Sequence, residues 1–249
     1  MKLILILLLL SSTVFAQRPK ADIIETSKGS LQIQPITHGT LVLTWGETTI
    51  YVDPYGGAKL FEGLDDPDLI LITDIHGDHL NPETLNGLKT TNAEFIVPRA
   101  VYDQLSDEFK QRAHVLNNNE SISRNQIGIK AIPMYNLPAS ADARHTKGRG
   151  NGYVLSFGNK NVYLSGDTSG IPEMRTLKNI DVAFVCMNLP YTMDVDEAAA
   201  AVLDFKPKIV YPYHYRGQNG LSDVNRFKQL VNGKDKKIEV RLRDWYGGK

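Results

Sequence analysis

The chain has 249 residues, in which 28 lysines and arginines balance 28 aspartates and glutamates. This neutral charge argues against a nucleic-acid partner and against binding to an anionic membrane, both of which call for basic runs. A single cysteine, Cys186, excludes an intramolecular disulfide framework and a thiolate-rich metal site. Any metal chemistry would therefore have to use the six histidines and the carboxylates.

The first sixteen residues have the pattern of a cleaved signal peptide. Lys2 precedes a short apolar run at 3–10, and a Val-Phe-Ala sequence ending at Ala16 supplies a cleavage site before Gln17. The apolar run is too short to span a bilayer, which takes about 20 residues. We therefore expect an exported protein, periplasmic or secreted, without a stable membrane anchor; an uncleaved anchor is the alternative. The domain itself would then cover 17–249.

In chain order, strands come first and strand–helix alternation follows, which predicts one α/β domain. The predicted strands cover 31–36, 40–44, 49–52, 68–73, 94–97, 128–132, 153–156, 161–164, 182–185, 208–211 and 237–242. The predicted helices cover 82–89, 98–113, a segment around 198–201 capped by Asp194, and 222–233 capped by Ser222. Two βα halves packed sheet to sheet, with helices outside, would fit this order.

Four side chains that can bind a metal lie within six residues directly after the predicted strand 68–73. They are Asp74, His76, Asp78 and His79. A loop between a buried strand and a helix can turn side chains inward at alternate positions, and imidazole with carboxylate suits zinc, iron or manganese. The alternative interpretation is a polar turn in which Asp74 or Asp78 only caps the helix.

These residues resemble the signature of the metallo-β-lactamase-fold hydrolases, His-x-His-x-Asp-His, which stands here at 74–79 with aspartate in first place. The resemblance continues in the Val-Asp-Pro turn at 52–54, the Gly-Asp-Thr segment at 166–168 and the late His214. The glycine-rich run at 148–153 is similar to the branch that contains L-ascorbate-6-phosphate lactonase. The order and spacing of these motifs are more specific than any one of them.

The resemblance implies an αββα sandwich with two metal sites at one edge of the sheets. It places His76 in the first site, places Asp78, His79 and His214 in the second, and makes Asp167 the bridge between them. One or two ions would bind, with zinc expected and iron or manganese as alternatives.

Two departures from the family pattern leave the first site open. Asp74 replaces the first histidine of the signature, and its charge would lower the Lewis acidity of that metal. Asn136 stands where the family has a further histidine, and His145 on the following loop is the candidate to replace it. A single-metal enzyme also fits these residues. The full set of expected ligands is Asp74, His76, Asp78, His79, His145, Asp167 and His214.

The resemblance implies a metal-dependent hydrolase acting on a small-molecule substrate. A bound divalent ion lowers the pKa of water towards about 7, and the hydroxide would attack an ester, lactone, amide or phosphoester. Asp78 and Asp167 are the expected catalytic carboxylates, because they can orient that hydroxide. The alternative is a non-catalytic binding protein that retains the fold and one metal, as Asp74 and Asn136 suggest. The substrate and the oligomeric state are not defined by the sequence.

The remaining candidates have structural alternatives. His38 and Asp53 either support the metal ligands from behind or belong to ordinary turns. His114 is expected to be structural, at the end of the predicted helix 98–113. Cys186 is expected to be a small core residue.

Overall fold

Two seven-stranded sheets and one short two-stranded ribbon are formed by residues 18–247, which are the residues that the computed structural model describes. The proposed signal peptide at 1–16 lies outside the described residues. The strands are β1 (Asp22–Thr26), β2 (Gly29–Thr37), β3 (Thr40–Trp45), β4 (Thr48–Val52), β5 (Leu69–Leu71), β6 (Glu94–Val97), β7 (Ala113–Val115), β8 (Ser121–Arg124), β9 (Ile127–Met134), β10 (Gly150–Phe157), β11 (Lys160–Leu164), β12 (Val182–Cys186), β13 (Ile209–Tyr213), β14 (Arg216–Gly217), β15 (Gly220–Leu221) and β16 (Glu239–Val240).

The two sheets share one design. In the first sheet β1 to β4 form an antiparallel meander, and β5, β6 and β7 then join β4 in parallel. In the second sheet β8 to β11 form an antiparallel meander, and β12, β13 and β16 follow in parallel. Because parallel strands end at the same edge, each sheet gathers the loops that follow its parallel strands there.

Alternation along the strands of the first sheet builds the core on two sides. Leu41 and Leu43 join the large apolar cluster shared with the second sheet, whereas Val42 between them faces a smaller cluster against the first helices. Leu69 and Ile70 divide in the same way. A strand with apolar residues on both faces must be covered on both faces, so the sheet lies between the other sheet and a helical layer.

Short helices cover the outer faces. They are the 3-10 helix Ala58–Phe61 and the α-helices α1 (Pro82–Gly87), α2 (Arg99–Gln104), α3 (Asp107–Lys110), α4 (Pro172–Arg175), α5 (Val195–Phe205) and α6 (Val224–Lys234). The α/β prediction, with two sheets face to face and helices outside, is confirmed. None of the helices within the described residues is long and apolar enough to cross a lipid bilayer.

The predicted helix 98–113 is wrong. The chain forms two short helices there and then the edge strand β7, because Leu105 is extended and Ser106 caps a new helix, its hydroxyl accepting from Phe109 N–H at 3.4 Å. His114 therefore lies in β7 rather than at a helix end. Asp223, not Ser222, caps α6.

Candidate metal centre

The candidate centre lies at the sheet edge where the parallel strands end. Asp53 follows β4, the loop 73–80 follows β5, Asp167 follows β11 and His214 follows β13. The long loop from β9 to β10 adds His145. Segments far apart in the chain thus bring their polar side chains to one place.

A tight turn at 73–80 presents four of the expected ligands. The backbone N–H groups of His79 and Leu80 both donate to the carbonyl of His76, at 2.9 and 2.8 Å. Asn81 then caps α1 with its side chain. The turn ends β5 and starts α1 within a few residues, so alternate side chains are directed into the site.

His79, Asp167 and His214 form a buried cluster, which we call the second group. The two Nε2 atoms of His79 and His214 lie 3.2 Å apart. Asp167 Oδ2 lies 3.4 Å from His79 Nε2, and Asp167 Oδ1 lies 3.4 Å from His214 Nε2. Metal bonds of about 2.1 Å in a tetrahedron place neighbouring ligand atoms about 3.4 Å apart, so this spacing matches one ion.

Asp78 lies at the open side of the second group. Its Oδ2 is 3.3 Å from His214 Nε2 and 3.1 Å from His38 Nε2, and its side chain is 31% exposed. His38 Nδ1 lies 2.9 Å from the Tyr246 hydroxyl. His38 therefore supports Asp78 from behind, as one of its two interpretations expected.

Asp74, His76 and His145 form a second cluster, which we call the first group. Asp74 Oδ2 lies 2.6 Å from His76 Nδ1 and 3.8 Å from His145 Nε2. Asp167 Oδ2, already close to His79, is 3.3 Å from His145 Nε2. Asp167 thus lies between the two groups, where the resemblance placed a bridging carboxylate.

Asn136 holds His145 instead of reaching the first group itself. Its Oδ1 accepts from the backbone N–H of His145 at 2.9 Å and lies 3.0 Å from His145 Nδ1. Because an amide oxygen only accepts, Nδ1 carries a proton, and Nε2 is the ring nitrogen that faces Asp74 and Asp167. The Asn136 amide N–H donates to the Tyr191 carbonyl at 2.9 Å, which fixes its orientation.

Asp53 plays the same part for His79. Its Oδ2 lies 2.8 Å from His79 Nδ1 and accepts from the Thr73 hydroxyl at 2.6 Å, while Oδ1 accepts from the Thr73 N–H at 2.7 Å. The carboxylate therefore keeps the proton on Nδ1 and turns Nε2 towards Asp167. Asp53 supports the site and is not a simple turn residue.

Three residues at this edge have a left-handed backbone conformation. His38, Asp53 and His214 have φ angles of +54°, +44° and +46°, a region that disfavours residues with a side chain. His214 belongs to the second group, Asp53 contacts His79 of that group, and His38 contacts Asp78 at its open side. Such conformations persist where the surroundings demand them and are common at functional sites.

The charges at the centre depend on each other. Burial disfavours ionisation of Asp167, but the neighbouring His214 and His79 outweigh it and hold the pKa of its carboxyl well below the usual range. For His79 burial disfavours the charged form, yet Asp167 and Asp53 raise its pKa well above the usual value. For Asp78 hydrogen bonds from His214 and His38 outweigh burial and lower the pKa. The carboxylates are therefore ionised at neutral pH and suited to a cation.

Four buried polar atoms at the centre lack a hydrogen-bond partner among the described residues. They are His76 Nδ1, whose close approach to Asp74 lacks hydrogen-bond geometry, His145 Nε2, Asp167 Oδ1 and His214 Nδ1. Buried polar atoms nearly always have partners, so each such atom calls for an explanation. Divalent ions would satisfy the first three, whereas His214 faces the other ligands with its Nε2 atom. Within residues 18–247 both groups have the composition of a metal site. The side chains fit the metal that the resemblance implies.

All seven expected ligands come together at this edge of the sheets. His114 does not; it contacts Glu94 at 2.7 Å and Arg124 on the surface. Cys186 is fully buried and its thiol donates to the Thr168 carbonyl at 3.5 Å, which agrees with a core residue.

Two residues of the site escaped prediction from the sequence. Arg149 contacts both oxygens of Asp74 at 3.1 Å, and Tyr246 near the end of the chain contacts His38. Arg149 stands within the glycine-rich run, which gave a weak signal. Nothing local marks Tyr246, because its contact joins positions 208 residues apart.

The fold and the two clusters define a class, the metal-dependent hydrolases of the metallo-β-lactamase fold. Residues 32–214 match the family model described as the beta-lactamase superfamily domain. The chain belongs to this superfamily and is a metal-dependent hydrolase of it.

Similar proteins and solved structures support the assignment to this superfamily. A UPF0173 metal-dependent hydrolase of Pyrococcus abyssi is 29% identical over 79% of this chain and 90% of its own. A structure described as a metal-dependent hydrolase from Parabacteroides distasonis is 38% identical, covers 90% of this chain and 98% of its own, and has a TM-score of 0.80. Igni18, a metallo hydrolase from Ignicoccus hospitalis, is 24% identical to this chain. The match covers 88% of this chain and 96% of Igni18 with a TM-score of 0.73, so the two proteins share the fold.

Proposed function

We propose that the centre holds two divalent ions, one in each group, with Asp167 shared between them. The observation that carries this proposal is the position of Asp167, whose oxygens lie 3.3–3.4 Å from His145, His79 and His214. The ion at the first group would be held by Asp74, His76 and His145, and the ion at the second group by His79, His214 and the adjacent Asp78, with Asp167 shared by both ions.

Zinc is the proposed metal. The ligands are imidazole nitrogens and carboxylate oxygens without thiolate, and the second group has tetrahedral spacing. Iron and manganese accept the same ligand types and are the alternatives that metal analysis has to separate.

We propose hydrolysis of an ester, lactone, amide or phosphoester bond in a small molecule. Divalent ions, when bound, lower the pKa of water and polarise the oxygen of the scissile group. Asp78 is ionised and partly exposed, so its carboxylate can accept a hydrogen bond from the attacking water at the mouth of the site. Asp167, 5% exposed, orients that water from the inner side. His38 keeps the Asp78 carboxylate in place.

Metal analysis of purified protein tests this proposal. We expect one to two equivalents of zinc by elemental mass spectrometry and loss of most of it in Asp167→Asn. The exposed Asp142→Asn, on the loop that carries His145, is the matched control and should keep the wild-type content. Metal-free wild-type protein that is folded and takes up no zinc would overturn the proposal.

A substrate panel tests the reaction. Esters, lactones, amides and phosphodiesters should include at least one compound whose turnover stops with a chelator and returns with zinc. Failure of the metal-loaded protein to turn over any member would contradict the proposed bond classes.

We propose that the protein is exported, on the strength of the charged start, short apolar run and Val-Phe-Ala sequence at 1–16. Expression of the full chain in a Gram-negative host should give a periplasmic or secreted product whose N-terminal sequence begins at Gln17. A cytoplasmic product that retains its first residues would contradict this.

A further inference from the structure

Arg149 holds both carboxylate oxygens of Asp74. Its Nε donates to Oδ1 and its Nη2 to Oδ2, each at 3.1 Å. Asp74 is fully buried and the Arg149 side chain is 19% exposed. Two parallel N–H···O bonds of this kind are the strongest geometry for an arginine–carboxylate pair.

The start of β10 is built to deliver this arginine. The Asn151 N–H donates to the Thr73 carbonyl at 2.9 Å, which ties β10 to the loop that carries Asp74. A Cβ at Gly150 would lie 2.8 Å from Thr73 O and 3.3 Å from Asp74 Oδ1. Only glycine permits this close approach, so the backbone fixes where Arg149 emerges.

The pair has a consequence for the first group. The oxygen that Nη2 of Arg149 contacts, Asp74 Oδ2, is the one that faces His76 at 2.6 Å and His145 at 3.8 Å. A fixed cation beside this oxygen offsets the negative charge that would attract a metal. Asp78 and Asp167, in contrast, form their ion pairs within the described chain with histidines.

We infer that Arg149 is a positioning residue that makes the first group the weaker of two metal sites, so that the second group fills first. This inference rests on the proposed function, because it takes both groups as metal sites. In the metal-free protein the buried carboxylate of Asp74 needs a partner, and Arg149 supplies it.

Titration of metal-free protein with Zn²⁺, by calorimetry with a competing chelator, tests it. Wild type should show two binding steps of unequal affinity, and His145→Ala should lose the weaker one. Arg149→Met should tighten the weaker step at least about tenfold, because no guanidinium then offsets the negative charge of Asp74. The same change should lower the Tm of the metal-free protein by about 5–10 °C, because it leaves a buried carboxylate unpaired.

These opposite signs separate positioning from a merely structural role. Arg149→Gln keeps a hydrogen-bond donor for Asp74 without the positive charge, and it should also tighten the weaker step. It replaces Arg149→Met in the test if that variant does not fold. The control Arg226→Met, on α6, removes a guanidinium that contacts both carboxylate oxygens of Asp196 at 2.8 Å on the surface, and it should leave both steps unchanged.

The outcomes are distinguishable. Two zinc steps of which neither tightens in Arg149→Gln would overturn the inference alone. Wild-type protein that binds no zinc would overturn the proposed function and this inference with it.

Discussion

The two groups of the centre differ in what stands behind their histidines. In the second group a carboxylate, Asp53, lies 2.8 Å from the ring nitrogen of His79. In the first group an amide, Asn136, lies 3.0 Å from the corresponding nitrogen of His145. A carboxylate partner makes an imidazole a stronger donor than an amide does. Two candidate metal sites with similar ligands can therefore differ in metal affinity because of the residues that hold their histidines.

Their construction differs as well. Asp53 and the loop 73–80 follow neighbouring parallel strands, β4 and β5, so the support of the second group is part of the sheet. Asn136 and His145 lie on the long loop between β9 and β10 and are tied to another loop through Tyr191. We expect the second group to be the more rigid of the two and the first to depend on its loop.

The largest expected effect comes from removing a proposed ligand of the second group. His79→Ala should weaken zinc binding more than about 100-fold, because loss of a ligand exceeds the effect of losing its support. Zinc titration of the metal-free variant measures this. His114→Ala is the control, since His114 contacts Glu94 on the surface and should bind zinc as wild type does. Equal zinc affinities in His79→Ala and wild type would contradict the role of the second group as the tighter zinc site.

Removal of the carboxylate support should have the next largest effect. Asp53→Asn keeps size and shape but presents a neutral group to His79, and should weaken the tight zinc step about 10- to 100-fold. The weaker step should change little, because Asp53 does not contact the first group. If both steps weakened equally in the same titration, the two groups would not be independently supported.

The amide support should matter less. Asn136→Ala leaves His145 without a partner for Nδ1 and should weaken only the weaker zinc step, by about tenfold. Far-ultraviolet circular dichroism should show unchanged secondary structure. A loss confined to the tight step would reverse the assignment of the groups.

The smallest effect is expected at Cys186, the fully buried cysteine at the end of β12. Burial, and secondarily the charge of Asp167, raise the pKa of Cys186 to about 11. The thiol is therefore protonated at pH 8 and should react with a thiol reagent only after unfolding. Its contribution to stability should be complete below about pH 9, where the unfolded thiol ionises, and be lost as the pH rises through 11.

Metal content provides the matched test at this position. Cys186→Ser should bind zinc with wild-type affinity, because the thiol donates to the Thr168 carbonyl and is not among the proposed ligands. A change in the number of zinc ions bound by Cys186→Ser would indicate that the thiol takes part in zinc binding.

Much of the fold was predictable because its strands obey local rules. The strand 161–164 lies within β11, and 40–44 lies within β3. Apolar alternation and the flanking turn residues mark such strands without help from the rest of the chain. The helix predicted over 98–113 is wrong because it breaks at Leu105 and because its last residue, Ala113, pairs with β6 at the edge of the sheet. Pairing is a contact between distant residues, so a local pattern does not contain it.

The sequence by itself determined the cluster of candidate ligands at 74–79, because these four side chains lie within six residues of each other. Asp167 and His214 were found through the resemblance of their segments to the motifs of the family. The tertiary structure alone decided that His145 and not Asn136 enters the first group, and that Arg149 pairs with Asp74. It also decided that Tyr246 contacts His38. The physical reason is the same in each case. The direction of a side chain on a long loop is set by hydrogen bonds to partners elsewhere in the chain, and those partners meet only when the two sheets pack together.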